Sequence, residues 1–183
     1  MKASKTKRST SWSDVKARLI HFDHDGLVGL VHDLYTADKS IQIFLHARFG
    51  LGEDILEPYK ITISRCLWPD MFRNQTVSVA EAKKAIANYR KAIGQPEGLA
   101  ELMVFYCERG SGFSVEVGLQ DEDFFNALVR MFEQALKAIS KLPDEQRPLL
   151  MERLEAVCRI SQNIGYGVED AMKDLLVEYD IYD

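Results

Sequence analysis

The sequence predicts an all-α fold. Three observations carry that expectation: apolar residues recur at three-and-four spacing along most of the chain, capping residues and Gly/Pro stops punctuate the recurrence, and the intervening segments are short. Eight or nine helices of about 9–20 residues are expected. They should pack as successive antiparallel hairpins, in a bundle or a short solenoid-like array. One extended segment is expected near 111–119.

Residues 1–10 are polar and basic, with Lys2, Lys5, Lys7 and Arg8 and no acid. They read as a flexible tail, leaving 11–183 as a single helical domain. A first helix fits about 13–21, capped by Ser11 or Ser13, with Val15, Leu19 and Ile20 on its apolar face. Asp23 is a good N-cap for the next, where Leu27, Leu30, Val31 and Leu34 share one face. Asp38 or Ser40 starts a third helix bearing Ile41, Phe44, Leu45 and Phe49, which Gly50 and Gly52 stop. Pro58 suits a first turn, followed by Tyr59, Ile63, Cys66 and Leu67, and Pro69 closes that helix.

Ser78-Val79-Ala80-Glu81 has the form of a capping box, in which serine and glutamate each satisfy an unpaired backbone donor. Ala82, Ala85, Ile86, Tyr89 and Ile93 follow as a face, ended by Gly94 and Pro96. Leu99, Leu102, Met103 and Tyr106 form another, which Gly110 should end. In 111–119, Phe113, Val115, Val117 and Leu119 alternate with Ser114, Glu116 and Gly118. That alternation reads as a strand, whose partner a second copy could supply in a homodimer, or as an extended loop over the helices. Asp121 caps a long helix to about Lys141 whose apolar face is Phe124, Phe125, Leu128, Met131, Phe132, Ala135, Leu136 and Ile139. Pro143 breaks it and Pro148 opens the next, which carries Leu150, Leu154, Val157 and Cys158. Gly165-Tyr166-Gly167 is a tight turn with a packed tyrosine. The last helix carries Ala171, Met172, Leu175, Leu176 and Tyr179.

Several pieces in this order resemble a bacterial domain-of-unknown-function family of about this length. They are Phe44-Leu45-His46-Ala47-Arg48-Phe49, Ala82-Lys83-Lys84-Ala85-Ile86 with Tyr89, Leu99-Ala100-Glu101-Leu102-Met103 with Tyr106, Met131-Phe132-Glu133-Gln134-Ala135-Leu136, and Ile164-Gly165-Tyr166-Gly167. The resemblance implies a bacterial cytosolic helical protein. It supplies no activity, cofactor or site residue to carry over.

Length and composition agree with a folded chain. Its 183 residues suffice for a core without disulfides, and 46% hydrophobic against 28% charged residues is ordinary for a globular protein. Cys66, Cys107 and Cys158 are odd in number and set among apolar neighbours, which fits buried thiols in a reducing cytoplasm. No apolar run approaches the roughly 20 residues of a membrane span.

The net charge is −5, but it is unevenly placed. Residues 1–8 carry +4, residues 60–91 carry +5, and residues 169–183 carry −5. Lys83, Lys84, Arg90 and Lys91 fall within about half the circumference of one helix. They are the candidate anion- or partner-binding residues. That face would meet an acidic protein surface or phosphates, unless it is solvated or paired with the acidic C-terminal helix.

Other chemistry finds little support. His21, Asp23, Asp25 and His32 fall short of a calcium loop, which needs carboxylates at its first and twelfth positions; a helix N-cap is the simpler reading. His21, His24 and His32 would hold a transition metal only by converging around a turn. Gly110-Ser111-Gly112 lacks the lysine and the strand–helix setting of a phosphate loop. No local catalytic signature or cofactor fingerprint occurs. No catalytic, cofactor-binding or metal residue is therefore assigned. The expected function is a non-enzymatic module that holds a protein partner in a groove between helix hairpins. A nucleic-acid-associated accessory role for the 60–91 face is the alternative. An enzyme assembled from His21, His24, His32, His46, Arg48 and Tyr59 comes last.

Overall fold

The computed structural model describes residues 10–70, 73 and 75–179. The expected basic tail lies outside the described residues apart from Thr10. Nine α-helices and two short 3-10 turns occur among the described residues, with no strand. The chain divides into two compact units, one ending at Leu45 and the other beginning at His46.

The first unit holds α1 (Trp12–Leu19), α2 (His24–Ala37) and most of α3 (Lys39–Arg48). Its helix starts are the expected ones. At α1 the Asp14 carboxylate accepts both the Ser11 amide and the Ser11 hydroxyl at 2.8 Å. Asp23 Oδ1 accepts the Gly26 amide at 2.8 Å, and Asp38 Oδ1 accepts the Ser40 amide at 2.6 Å. Gln42 Nε2 donates to the Tyr35 carbonyl at 2.9 Å, tying α3 to α2. Neither α1 nor α2 buries a residue.

The second unit holds the core. It contains α4 (Glu57–Leu67), α5 (Val79–Ala92), α6 (Pro96–Val117), α7 (Glu122–Ile139), α8 (Arg147–Ile160) and α9 (Val168–Glu178). Each of these helices packs on the next, as short connections require. The 22-residue α6 is central and touches α4, α5, α7 and α8. α7 buries one continuous stripe, Phe124, Phe125, Leu128, Met131, Phe132, Ala135, Leu136 and Ile139. All eight are the positions its sequence period marks.

Two expectations are corrected. Residues 111–117 are helical, so neither a strand nor a loop lies there, and the strand that a second copy was to pair is removed. Gly110 does not end α6; Gly118 does, at φ 63°, a left-handed backbone that suits glycine. The buried seam of this stretch is made of small residues: Cys107, Gly110, Ser111 and Ser114, at helical spacing. A Cβ on Gly110 would come within 3.1 Å of Leu128, and one on Gly112 within 2.8 Å of the Trp68 ring. The glycines thus admit neighbours rather than bend the chain. Ser114 Oγ donates to the Gly110 carbonyl, and Ser161 Oγ donates to Ser111 Oγ at 3.1 Å. The apparent alternation was incidental: Phe113 is buried, whereas Val115 and Val117 face out.

The second correction is smaller. At α5 the Ser78 hydroxyl accepts the Glu81 amide at 3.4 Å, but the reciprocal half of the capping box is absent. The Ser78 amide donates instead to the Cys66 carbonyl at 2.9 Å, closing α5 onto the end of α4. Glu81 is left to pair with Lys84 at 3.4 Å.

Candidate functional site

The four residues of the expected basic face differ in exposure and pairing. Lys83 is half-buried, while Lys84, Arg90 and Lys91 are exposed. Lys84 is engaged by Glu81. Arg90 and Lys91 lie in the last turn of α5, about 10 Å along the axis from Lys83 and Lys84. The Lys91 carbonyl accepts Arg48 Nη2 at 2.7 Å. Lys60 is partly buried and paired with Glu101, and Arg73 pairs with Asp70 at 3.2 Å.

Packing brings Arg90 to residues that the sequence scatters. It lines a groove of about 380 Å³ formed where α5 ends, α6 begins and α7 ends. Leu99, Met103 and Ala138 supply apolar wall, and Lys137 and Lys141 supply charge. No acidic residue lines the groove. Lys137 is held by Glu133, the i,i+4 pair visible in the sequence. Among the described residues Arg90 and Lys141 have no acidic partner. Cations near helix C-termini answer the macrodipole, which accounts for Arg90 at the end of α5 and for Lys137 and Lys141 at the end of α7. It does not explain three of them around one apolar floor.

The other polar cluster is structural. Arg153 on α8 donates Nε and Nη2 to the two Glu108 oxygens at 2.7 and 2.8 Å, and Nη1 to Glu101. Lys60 on α4 reaches the other Glu101 oxygen at 2.7 Å. Two cations and two carboxylates therefore clasp α4, α6 and α8 with no net charge. Burial alone would push the Glu101 carboxyl up, but the hydrogen bonds from Arg153 and Lys60 outweigh it and hold it below the ordinary glutamate range. A lowered folded value means stability that is present above the unfolded pKa and lost as pH falls through the folded one. Urea unfolding from pH 6 to pH 3 is therefore expected to show stability dropping below about pH 4.5, the ordinary glutamate value. Glu101→Gln should flatten part of that drop. An unchanged slope would deny Glu101 the role.

The remaining candidates are not brought together. His21, His24 and His32 are exposed, and His24 contacts only its neighbour Asp25, at 3.5 Å. His24 and His32 stand about 12 Å apart along α2 and about 80° around it. Among the described residues no group of three His, Cys, Asp or Glu side chains could hold a metal ion. Tyr59 belongs to the core, edge-on to Tyr89 at 5.4 Å. Arg48 spends its guanidinium on a backbone carbonyl, and neither it nor His46 lines the groove. The three cysteines are free, and burial pushes every thiol up, the reverse of an activated nucleophile. Gly165-Tyr166-Gly167 is the expected turn, but its tyrosine is exposed rather than packed, touching the core only through its ring at 5.3 Å from Phe125.

Sequence reasoning found Arg90 and missed Lys137, Lys141, Leu99 and Met103. The i,i+4 spacing of Lys137, on α7, and Lys141, in the turn just beyond it, was the available signal. It points nowhere until α7 is laid beside α5 and α6. Among the described residues no helix is long and apolar enough to cross a membrane. No family model, curated protein or solved structure matches this chain.

Proposed function

We propose that this protein is a non-enzymatic accessory module whose α5–α6–α7 groove holds an acidic, leucine-bearing segment of a protein partner. The carrying observation is the groove's make-up: an apolar floor, a rim of Arg90, Lys137 and Lys141, and no acid. Apolar floor gives affinity to leucine or methionine side chains, while the rim selects acidic flanks and speeds encounter. The free thiols support a reducing, cytoplasmic setting. That setting accords with the resemblance to bacterial cytosolic helical proteins.

The test is fluorescence anisotropy with a labelled amphipathic peptide of leucine and glutamate. Saturable binding that weakens with salt is expected. Arg90→Glu with Lys141→Glu should weaken it by roughly tenfold or more, whereas Lys83→Glu with Lys84→Glu should change it little. Absence of binding at low salt would overturn the reading. Tighter binding of random-sequence DNA, lost with Lys83→Glu and Lys84→Glu, would replace it with the nucleic-acid role.

A further inference from the structure

A second cleft of about 510 Å³ opens beside the start of α6, with the opposite charge character. Glu53 and Asp54 precede α4 on one side, and Glu97 and Glu101 lie one turn apart on α6. No lysine, arginine or histidine lines it, and Leu142 and Leu150 give it apolar wall. The carboxylates are unequally committed. Asp54 Oδ1 accepts the Leu56 and Glu57 amides at 2.8 and 3.2 Å, Glu97 accepts Gln146 Nε2 at 2.7 Å, and Glu101 is neutralised by Lys60 and Arg153. Glu53 has no partner among the described residues.

Two further polar atoms await a partner. Tyr89 is 2% exposed yet lines this cleft, and among the described residues no hydrogen bond reaches its hydroxyl. That hydroxyl lies against Gly98, also in the lining: a Cβ there would stand 2.0 Å from it. The glycine therefore makes room for a phenol tip at the cleft wall. Gln146 Oε1, in the same lining, is buried without a partner. A buried polar group left unmade costs about 1–3 kcal/mol, so a ligand donor that reaches Gln146 Oε1 would offset that cost. The acids themselves are spread out, since among the described residues no three such groups converge as a metal ion needs. Spread carboxylates between apolar walls suit a linear cation rather than a point charge.

We propose that this cleft binds a linear aliphatic polyamine, its ammonium groups meeting Glu53 and Glu97 and hydrogen-bonding to Tyr89 Oη and Gln146 Oε1, with its methylenes against Leu142 and Leu150. This is independent of the groove's partner. Calorimetry with spermidine and cadaverine at low salt is expected to give saturable, one-to-one binding. Tyr89→Phe keeps the ring and should weaken binding about tenfold, as for a hydrogen bond to a charged group. Glu53→Gln, an exposed change that leaves the fold intact, should also weaken it several-fold, and magnesium at matched ionic strength should not displace the amine. The proposal is overturned by non-saturable heats, by equal displacement with magnesium, by indifference to Tyr89→Phe, or by binding of an oligolysine peptide alone.

Discussion

Phe132→Ala is expected to lower the free energy of unfolding by about 3–5 kcal/mol, which would move the melting temperature by roughly 10 °C in a chain of this size. Phe132 is fully buried in the middle of α7, the helix that packs on α6, α8 and α9. Removing its ring forfeits the transfer energy of the lost carbons and leaves a void that close-packed neighbours fill only in part. Urea titration should show a lower midpoint with an unchanged slope. A loss under about 1 kcal/mol would mean that this seam can collapse, and would argue against tight packing around α7.

Arg153→Met is expected to cost about 2 kcal/mol, less than the value for a fully buried pair because a quarter of the side chain meets water. The loss comes from what stays behind. Glu101 and Glu108 would remain half-buried with Lys60 as their only cation. Restoring neutrality by adding Glu108→Gln to Arg153→Met, which keeps the Lys60–Glu101 pair, should therefore recover much of the lost stability. If the double variant were instead no more stable than Arg153→Met alone, the uncompensated Glu108 charge would not be the source of the loss. Chemical denaturation of the single and double variants at neutral pH separates the two cases.

The elements differ in how openly the sequence declares them. α7 is legible residue by residue because its buried positions are large and apolar, so burial and hydrophobic period coincide. The Asp23, Asp121 and Ser11 starts are legible because capping is local: donor and acceptor lie within one turn. The second half of α6 was hidden because its buried face is mostly small residues, with Phe113 the one large apolar side chain among them. Its glycines and serines read as turn formers, yet here they let Leu128 and Trp68 approach the backbone. The Ser78 box was half right for a related reason. Its amide found a better partner across the α4–α5 connection, which no local pattern announces.

The two candidate sites divide the same way. Arg90 stood out through charge spacing on one helix, whereas the groove exists only because α6 and α7 bring an apolar floor and two lysines to it. Lys60 counted toward a basic surface in the sequence but is spent inside the protein on Glu101. What the sequence determined by itself is the helical class, most helix limits and the main apolar stripe, since these follow from propensity, capping and period within a few turns. The tertiary structure alone decided which charges remain available and which are neutralised, because pairing depends on residues about forty or more positions apart in the chain. It also decided where unpartnered groups meet a cavity, and so where a ligand or partner has something to bind.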